Sequence, residues 1–281
     1  MLMRSKLFVP ATRPELFAKA DGSAADSLSF DLEDAVTEER KDEARQIISD
    51  HLRARPPSRK VIVVRINGAA TRHFEADAAA VAGADVINLP MVEDADQVRL
   101  LADRLAQHET IAGHTKILVN IETPRALRLA ASLAIAHERV MGLQIGYADL
   151  LEPFGIARRD EAALSHIRVA VRLAAAEAGV AAYDGAFGAV NDPEGYRAEC
   201  LAARRQGFAG KTCIHPSQIA IANDAFKPTE SEVARARRIV AAAEDADAKG
   251  IGAVLVDGQM IDRPFVQGAH AVIALADAAQ A

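Results

Sequence analysis

No run of the 281-residue chain is apolar for long enough to cross a membrane, although half of its residues are hydrophobic. Cysteine is nearly absent: Cys200 and Cys213 have neither metal-ligand spacing nor a disulfide framework, and both read as core thiols. A net charge of −6 excludes bulk nucleic-acid binding as the main role. The chain also lacks a Gly-x-Gly-x-x-Gly turn after its first strand, low-complexity tracts, and any Pro/Gly-rich linker in the first 250 residues. Its opening, Met1-Leu-Met-Arg-Ser-Lys6, carries no signal-peptide core. Together these absences lead to the expectation of a soluble cytoplasmic α/β protein, one large domain with a tail, that binds neither membrane nor nucleic acid.

What is present centres on Lys116-Ile-Leu-Val-Asn-Ile-Glu122-Thr-Pro124. The apolar, β-branched run reads as a strand buried on both faces. Pro124 suits the first turn of a helix, where its missing N–H is not needed. Glu122 therefore projects from the carboxyl end of a buried strand, where α/β barrels keep their chemistry. Seven further runs read as strands, at 7–10, 27–34, 61–68, 84–90, 140–149, 180–185 and 210–216. Helical patterns separate them. Thr12 and Thr37 are candidate N-caps, Ala44, Ile47, Ile48 and Leu52 share one face, a helix starts at Val92-Glu93, and another spans 168–179 before Gly179. Alternation of eight strands with helices predicts a (β/α)8 TIM barrel over residues 1–226. Residues 227–281 predict a C-terminal arm: a capping box at Thr229 and Glu232, a helix to about Lys249, a hairpin around Asp257-Gly258 and an Ala-rich helix. Such an arm serves as a lid, or completes an active site, its own or a neighbour's.

The strand tips carry Asp31, Glu33, Asp34, Arg65, Glu122, Asp149 and Asp184. Lys60, Lys116 and Lys211 fall at the amino ends of their strands, which argues against Schiff-base chemistry. Carboxylates from neighbouring strands suit a hard cation that keeps some waters, and magnesium fits better than zinc because no Cys/His set exists. Arg65, inside a β-branched run, must be paired with the preceding acids, and it can also hold a substrate carboxylate or enolate. A metal carboxylate site facing an arginine supports metal-assisted C–C bond chemistry on a small oxo-acid. His215, before Pro216, reads as structural, and Arg13 and Lys19 read on their own as solvated charges.

Seven motifs occur in order: Arg4-Ser-x-Leu-Phe-Val-Pro10, Asp31-Leu-Glu-Asp-Ala-Val36, Val64-Arg-Ile-Asn67, Leu89-Pro-x-Val-Glu93, Ile121-Glu-Thr-Pro124, Gly210-Lys-x-x-Ile-His-Pro-Ser-Gln-Ile219 and Asp257-Gly-x-Met-Ile-Asp262. Together, over nearly the whole chain, they resemble the citrate lyase β-subunit-like branch of the HpcH/HpaI aldolase family, with its malyl-CoA and citramalyl-CoA lyases. The resemblance implies a homotrimer or dimer of trimers that uses Mg2+ to cleave a 3-hydroxyacyl-CoA. It implies Glu122 and Asp149 as magnesium ligands and Arg65 as the contact to the oxo-acid. Phe8, Arg13 and Lys19 match coenzyme A positions, and the backbone around Ala148, Ile214 and His215 matches further substrate contacts. Asp262 matches the acid that reaches a neighbouring subunit's site and handles the enolate proton, while Glu33 and Asp34 would hold metal-bound waters and Arg65. Three departures bear on substrate fit: Ala11 in place of a frequent Gly, Met91 where Lys is common, and Tyr147-Ala148 where an acid often precedes Asp149. Rival expectations are a citrate lyase β subunit acting on an acyl-carrier-protein thioester, a thioesterase on the same site, and a non-catalytic binding protein.

Overall fold

Eight parallel strands close into a barrel in sequence order, β8 pairing back onto β1: β1 (Ser5–Pro10), β2 (Ser27–Asp31), β3 (Val61–Arg65), β4 (Val86–Leu89), β5 (Lys116–Ile121), β6 (Val140–Ile145), β7 (Ala181–Asp184) and β8 (Gly210–Cys213). The structure is a computed structural model and describes residues 1–55 and 57–279. Outside the strands run α1 (Phe17–Asp21), α2 (Lys41–Ala54), α3 (Phe74–Ala80), α4 (Ala95–His108), α5 (Pro124–Ala134), α6 (Tyr147–Leu151), α7 (Glu161–Glu177), α8 (Pro193–Arg205) and α9 (Ser217–Ala225). Their apolar faces, such as Ala44, Ile48 and Leu52 of α2, are buried in the main core with the outward residues of the strands. No helix among the described residues is long and apolar enough to cross a membrane.

Inward residues alternate along each strand, so successive inward positions stack in tiers down the barrel. Met3, Val63, Val86, Leu118 and Tyr183 form an apolar plug. Two residues on, along the same strands, come Arg65, Asn88 and Asn120, and β5 continues to Glu122. The interior thus changes from hydrocarbon to polar groups toward the carboxyl ends.

Caps fix several helix starts. Thr123 Oγ1 accepts from the Ala126 N–H at 3.0 Å, and Pro124 stands in the first turn, as its sequence requires. Asp94 forms a capping box with Gln97, so α4 starts just after Val92-Glu93. Thr12 is not an N-cap: Arg13 takes that position ahead of a short 3-10 turn, Pro14–Leu16. Thr37 has the extended backbone of a cap but its side chain makes no cap bond. Asp160 caps α7, which begins well before Arg168 and buries it mid-helix. Strand β6 stops at Ile145, and Asp149 belongs to the first turn of α6.

A second compact unit begins at Lys227. It holds α10 (Glu230–Asp247), the antiparallel hairpin β9 (Val254–Val256) and β10 (Gln259–Ile261), and α11 (Arg263–Ala278). Thr229 and Glu232 make the reciprocal capping box. Asp257 and Gly258 turn the hairpin with φ of 52° and 77°. Ala236, Ile239, Val256, Ile261 and Ala269 form the unit's own core.

Candidate active site

A cavity of about 350 Å³ opens at the carboxyl ends of the strands, and Arg65, Glu122 and Asp149 all line it. Glu122 directly follows β5 and is buried. Its Oε1 accepts from the Met91 N–H at 2.5 Å and its Oε2 from Asn120 Nδ2 at 3.0 Å. Met91 adopts a left-handed backbone, φ 52°, which aims that N–H. Gly146, between β6 and α6, makes room for the carboxyl: a Cβ there would lie 2.3 Å from Glu122 Oε2. Burial, helped by the charge of Asp149, raises Glu122 to a pKa of about 6. A cation between the two would relieve both causes. Among the described residues no three His, Cys, Asp or Glu side chains form a metal cluster. Two carboxylates are a set that magnesium accepts, since water and substrate oxygens complete its octahedron; zinc sites use more protein ligands.

Arg65 ends β3 and is held by three acids. Its Nε and one terminal nitrogen donate to Asp31 Oδ1 and Oδ2 at 2.8 and 2.7 Å. The other terminal nitrogen lies 2.7 Å from Glu33 and 3.2 Å from Asp34. Burial opposes the charge on Asp31, but the Arg65 bonds outweigh it and the carboxyl stays below its ordinary range. Burial raises Glu33 to about 8, and the neighbouring carboxylates add to that against the pull of Arg65. Phe8 lines the same cavity, its ring centroid 5.0 Å from the Arg65 guanidinium.

Two strand-end charges, Asp184 and Lys211, neutralise each other inside the fold. Asp184 is no open-mouthed ligand: it is buried, and Lys211 Nζ (2.6 Å), Arg168 Nε (3.1 Å) and the Tyr147 hydroxyl (2.5 Å) all donate to it. Burial raises its pKa, and Lys211 and Arg168 overcome this to hold it at about 2. Lys211 is the second residue of its strand, at the amino end as expected, and the stagger of the barrel sets it opposite Asp184, the last residue of β7. A further lysine, Lys6, is buried inside the barrel with Nζ 2.9 Å from Asn88 Oδ1. Burial, then the charge of Arg65, depresses its pKa well below the usual lysine range. Neither lysine lines the cavity, so neither is placed to form a Schiff base with a ligand there.

Ala148 and Ile214 line the cavity, and the Ile214 N–H donates to Gln218 Oε1 at 2.8 Å. His215 is exposed, with Nδ1 2.8 Å from Ser217 Oγ. Arg13 is exposed and paired with Glu15, and Lys19 is exposed on α1. Asp262 belongs to the C-terminal unit, at the N-cap position of α11, with a buried Oδ1 that has no hydrogen-bond partner among the described residues. The sequence reading missed Asn120 and Gln144, which line the cavity floor; Asn120 lay two residues before Glu122, on the same strand face. It also missed Arg158, stacked 4.3 Å from the Tyr147 ring, for which no motif existed.

The model of the HpcH/HpaI aldolase/citrate lyase family matches residues 4–216. The chain belongs to this family. Its relatives include the citrate lyase subunit beta of Leuconostoc mesenteroides subsp. cremoris, 36% identical over 284 residues, covering 99% of this chain and 94% of that protein. The (3S)-malyl-CoA thioesterase of Cereibacter sphaeroides is also 36% identical, over 278 residues, covering 98% and 95%. Among solved family structures, protein CitE from Mycobacterium tuberculosis in complex with magnesium, acetoacetate and coenzyme A is 35% identical, with a TM-score of 0.78 and 97% of each chain covered.

Proposed function

We propose that this chain is a magnesium-dependent carbon–carbon lyase that cleaves a 3-hydroxyacyl-CoA of the malyl-CoA or citramalyl-CoA type to acetyl-CoA and glyoxylate or pyruvate. The observation that carries this is the meeting of Glu122, Asp149 and Arg65 in one cavity at the carboxyl ends of three strands. Glu122 and Asp149 would hold the magnesium, which when bound supplies Lewis-acid polarisation of the substrate's hydroxyl and carboxylate. Arg65, kept rigid by Asp31, Glu33 and Asp34, would receive the carboxylate of the acid half and the charge that develops on it. As the C3 hydroxyl gives its proton to solvent, the C2–C3 bond breaks and its electron pair passes to the thioester as an enolate, which Asp262 in its protonated form would quench. Asp262 would return a proton to C2, balancing the one lost. Phe8, Arg13 and Lys19 would bind coenzyme A, and the backbone at Ala148, Ile214 and His215 the substrate. In a homotrimer or dimer of trimers, Asp262 would serve a neighbouring subunit's site.

A relative named as a thioesterase is as similar as one named as a citrate lyase subunit, so both remain competing outcomes. The purified protein is incubated with malyl-, citramalyl- and citryl-CoA, with and without magnesium, and the products are identified. Magnesium-dependent acetyl-CoA plus an oxo-acid supports the lyase. Free coenzyme A indicates the thioesterase, and turnover only with a carrier-protein thioester indicates the citrate lyase subunit. No turnover and no magnesium binding would mark a non-catalytic member.

A further inference from the structure

Between the apolar plug and Glu122 the barrel interior holds Lys6, Asn88, Asn120 and Gln144, all buried. Aliphatic side chains ordinarily fill such a tier, and polar ones cost free energy there unless each finds a partner. Here the partners form a line. Lys6 Nζ donates to Asn88 Oδ1 at 2.9 Å, Asn88 Nδ2 to Asn120 Oδ1 at 2.6 Å, and Asn120 Nδ2 to Glu122 Oε2 at 3.0 Å. Every N–H in the line points toward Glu122.

The direction matters, because an asparagine amide has nearly the same outline either way round, while only its nitrogen donates. Turned over, Asn120 would set its oxygen against the Glu122 carboxylate, acceptor against acceptor. Two donors oppose this: Asn88 Nδ2 and, at 3.1 Å, Gln144 Nε2 both hold Asn120 Oδ1. Asn88 is fixed in its turn. Its nitrogen faces the Leu118 carbonyl at 3.3 Å, which can only accept, and its oxygen faces Lys6. Strand register supplies the alignment, since Asn88 pairs with Leu118 across β4 and β5, and Asn120 with Gln144 across β5 and β6. With the Met91 N–H on Oε1, both oxygens of Glu122 are pinned.

Resting on the reading of Glu122 as a magnesium ligand given under Proposed function, we propose that Asn88 is a positioning residue for that ligand, acting through Asn120. Asn88 does not line the cavity, and its side chain bonds Asn120 and not Glu122. Its effect is to decide which end of the Asn120 amide the carboxylate meets, and so to keep Glu122 turned for a cation. Partners that orient a metal ligand in this way are worth about 10–100-fold in metal affinity.

The full-length protein is titrated calorimetrically with magnesium chloride alone, as wild type, Glu122→Gln, Asn88→Asp, Asn120→Leu and the double variant Asn88→Asp/Asn120→Leu. Asn88→Asp keeps the shape and leaves Lys6 a partner, but offers Asn120 no N–H. Its added negative charge would by itself tighten cation binding, whereas loss of the donor weakens it, so the two effects differ in sign. Asn88→Asp is expected to bind magnesium about 10-fold more weakly than wild type. Added to Asn120→Leu, where the line is already cut, it is expected to weaken binding no further. Where Asn88→Asp fails to fold, Lys6→Met/Asn88→Leu carries the same comparison, because it removes the donor and the buried ammonium together. Unchanged or tighter binding in the Asn88 variant, or the same loss in both backgrounds, overturns the positioning role; loss of binding in Glu122→Gln then leaves the magnesium site standing. Wild-type affinity in Glu122→Gln overturns the site reading and the positioning role with it.

Discussion

Gly146→Ala is expected to disable the site while the barrel still folds. Gly146 has φ −104°, a value open to alanine, so the effect of the substitution comes from the added methyl alone. That Cβ would lie 2.3 Å from Glu122 Oε2 and 2.5 Å from Glu122 Cβ, about 1 Å inside ordinary carbon contact. Glu122 cannot swing aside freely, because Met91 and Asn120 bind its two oxygens. Overpacking of this kind costs about 1–3 kcal/mol, a melting temperature lower by roughly 2–6 °C at about 2 °C per kcal/mol for a domain of this size. A displacement near 1 Å in a group that positions substrate costs on the order of 100-fold in rate. Three measurements separate the effects: a thermal melt, a magnesium titration, and turnover of the cleavable thioester. Gly188→Ala is the control for stability, since a Cβ there meets nothing within 4 Å. Folded Gly146→Ala protein with wild-type magnesium affinity and turnover would refute the assignment of Glu122 to the chemistry.

Arg65→Ala should raise the barrier by about 3–4 kcal/mol and, by stranding the buried Asp31, cost about 3–5 kcal/mol of stability; turnover and denaturant unfolding read the two, and Arg65→Lys should restore folding more than turnover. Magnesium competes with a proton at Glu122, so affinity should be level above its pKa of about 6 and fall as the pH drops below it, up to about tenfold per unit; a flat profile across that range contradicts the assignment. The side-chain bonds from Arg139 hold Glu109 at about 2 against an ordinary 4.5. Its contribution to stability is therefore complete above 4.5 and is lost as the pH falls from there toward 2. The shift is nominally ~3 kcal/mol, reduced by screening near the surface to about 1 kcal/mol. The stability gap between wild type and Glu109→Gln should shrink by that amount on acidification across this range.

The barrel and its mouth were legible because both depend on local signals. The strand runs end in a polar residue or a proline, and Glu122-Thr123-Pro124 states strand end, cap and first turn in three letters. Arg65 was legible as a paired charge, since nothing else permits it at the end of Val61-Ile-Val-Val. What escaped depends on register between strands. Lys211 sits early in its own strand, and only the stagger of β8 against β7 sets it beside Asp184. Lys6, Asn88, Asn120 and Gln144 come from four strands; the last three are single polar letters inside apolar runs, and Lys6 closes the polar stretch Arg4-Ser5-Lys6. Arg168 lies mid-helix, since its partner Asp184 is on another element and the helix start is set by Asp160.

The buried charges divide by whether the fold neutralises them. Asp31 has Arg65, and Asp184 has Lys211 and Arg168. These pairs hold both carboxyls below their ordinary range despite burial. Burial raises Glu122, with the charge of Asp149 adding to it, and burial, then the charge of Arg65, depresses Lys6. Such uncompensated charge is expensive in a folded interior, and it persists where a ligand supplies what is missing. The two deficits have opposite sign and lie in adjoining tiers of one barrel. A divalent cation between Glu122 and Asp149 would meet the first of them at the cavity.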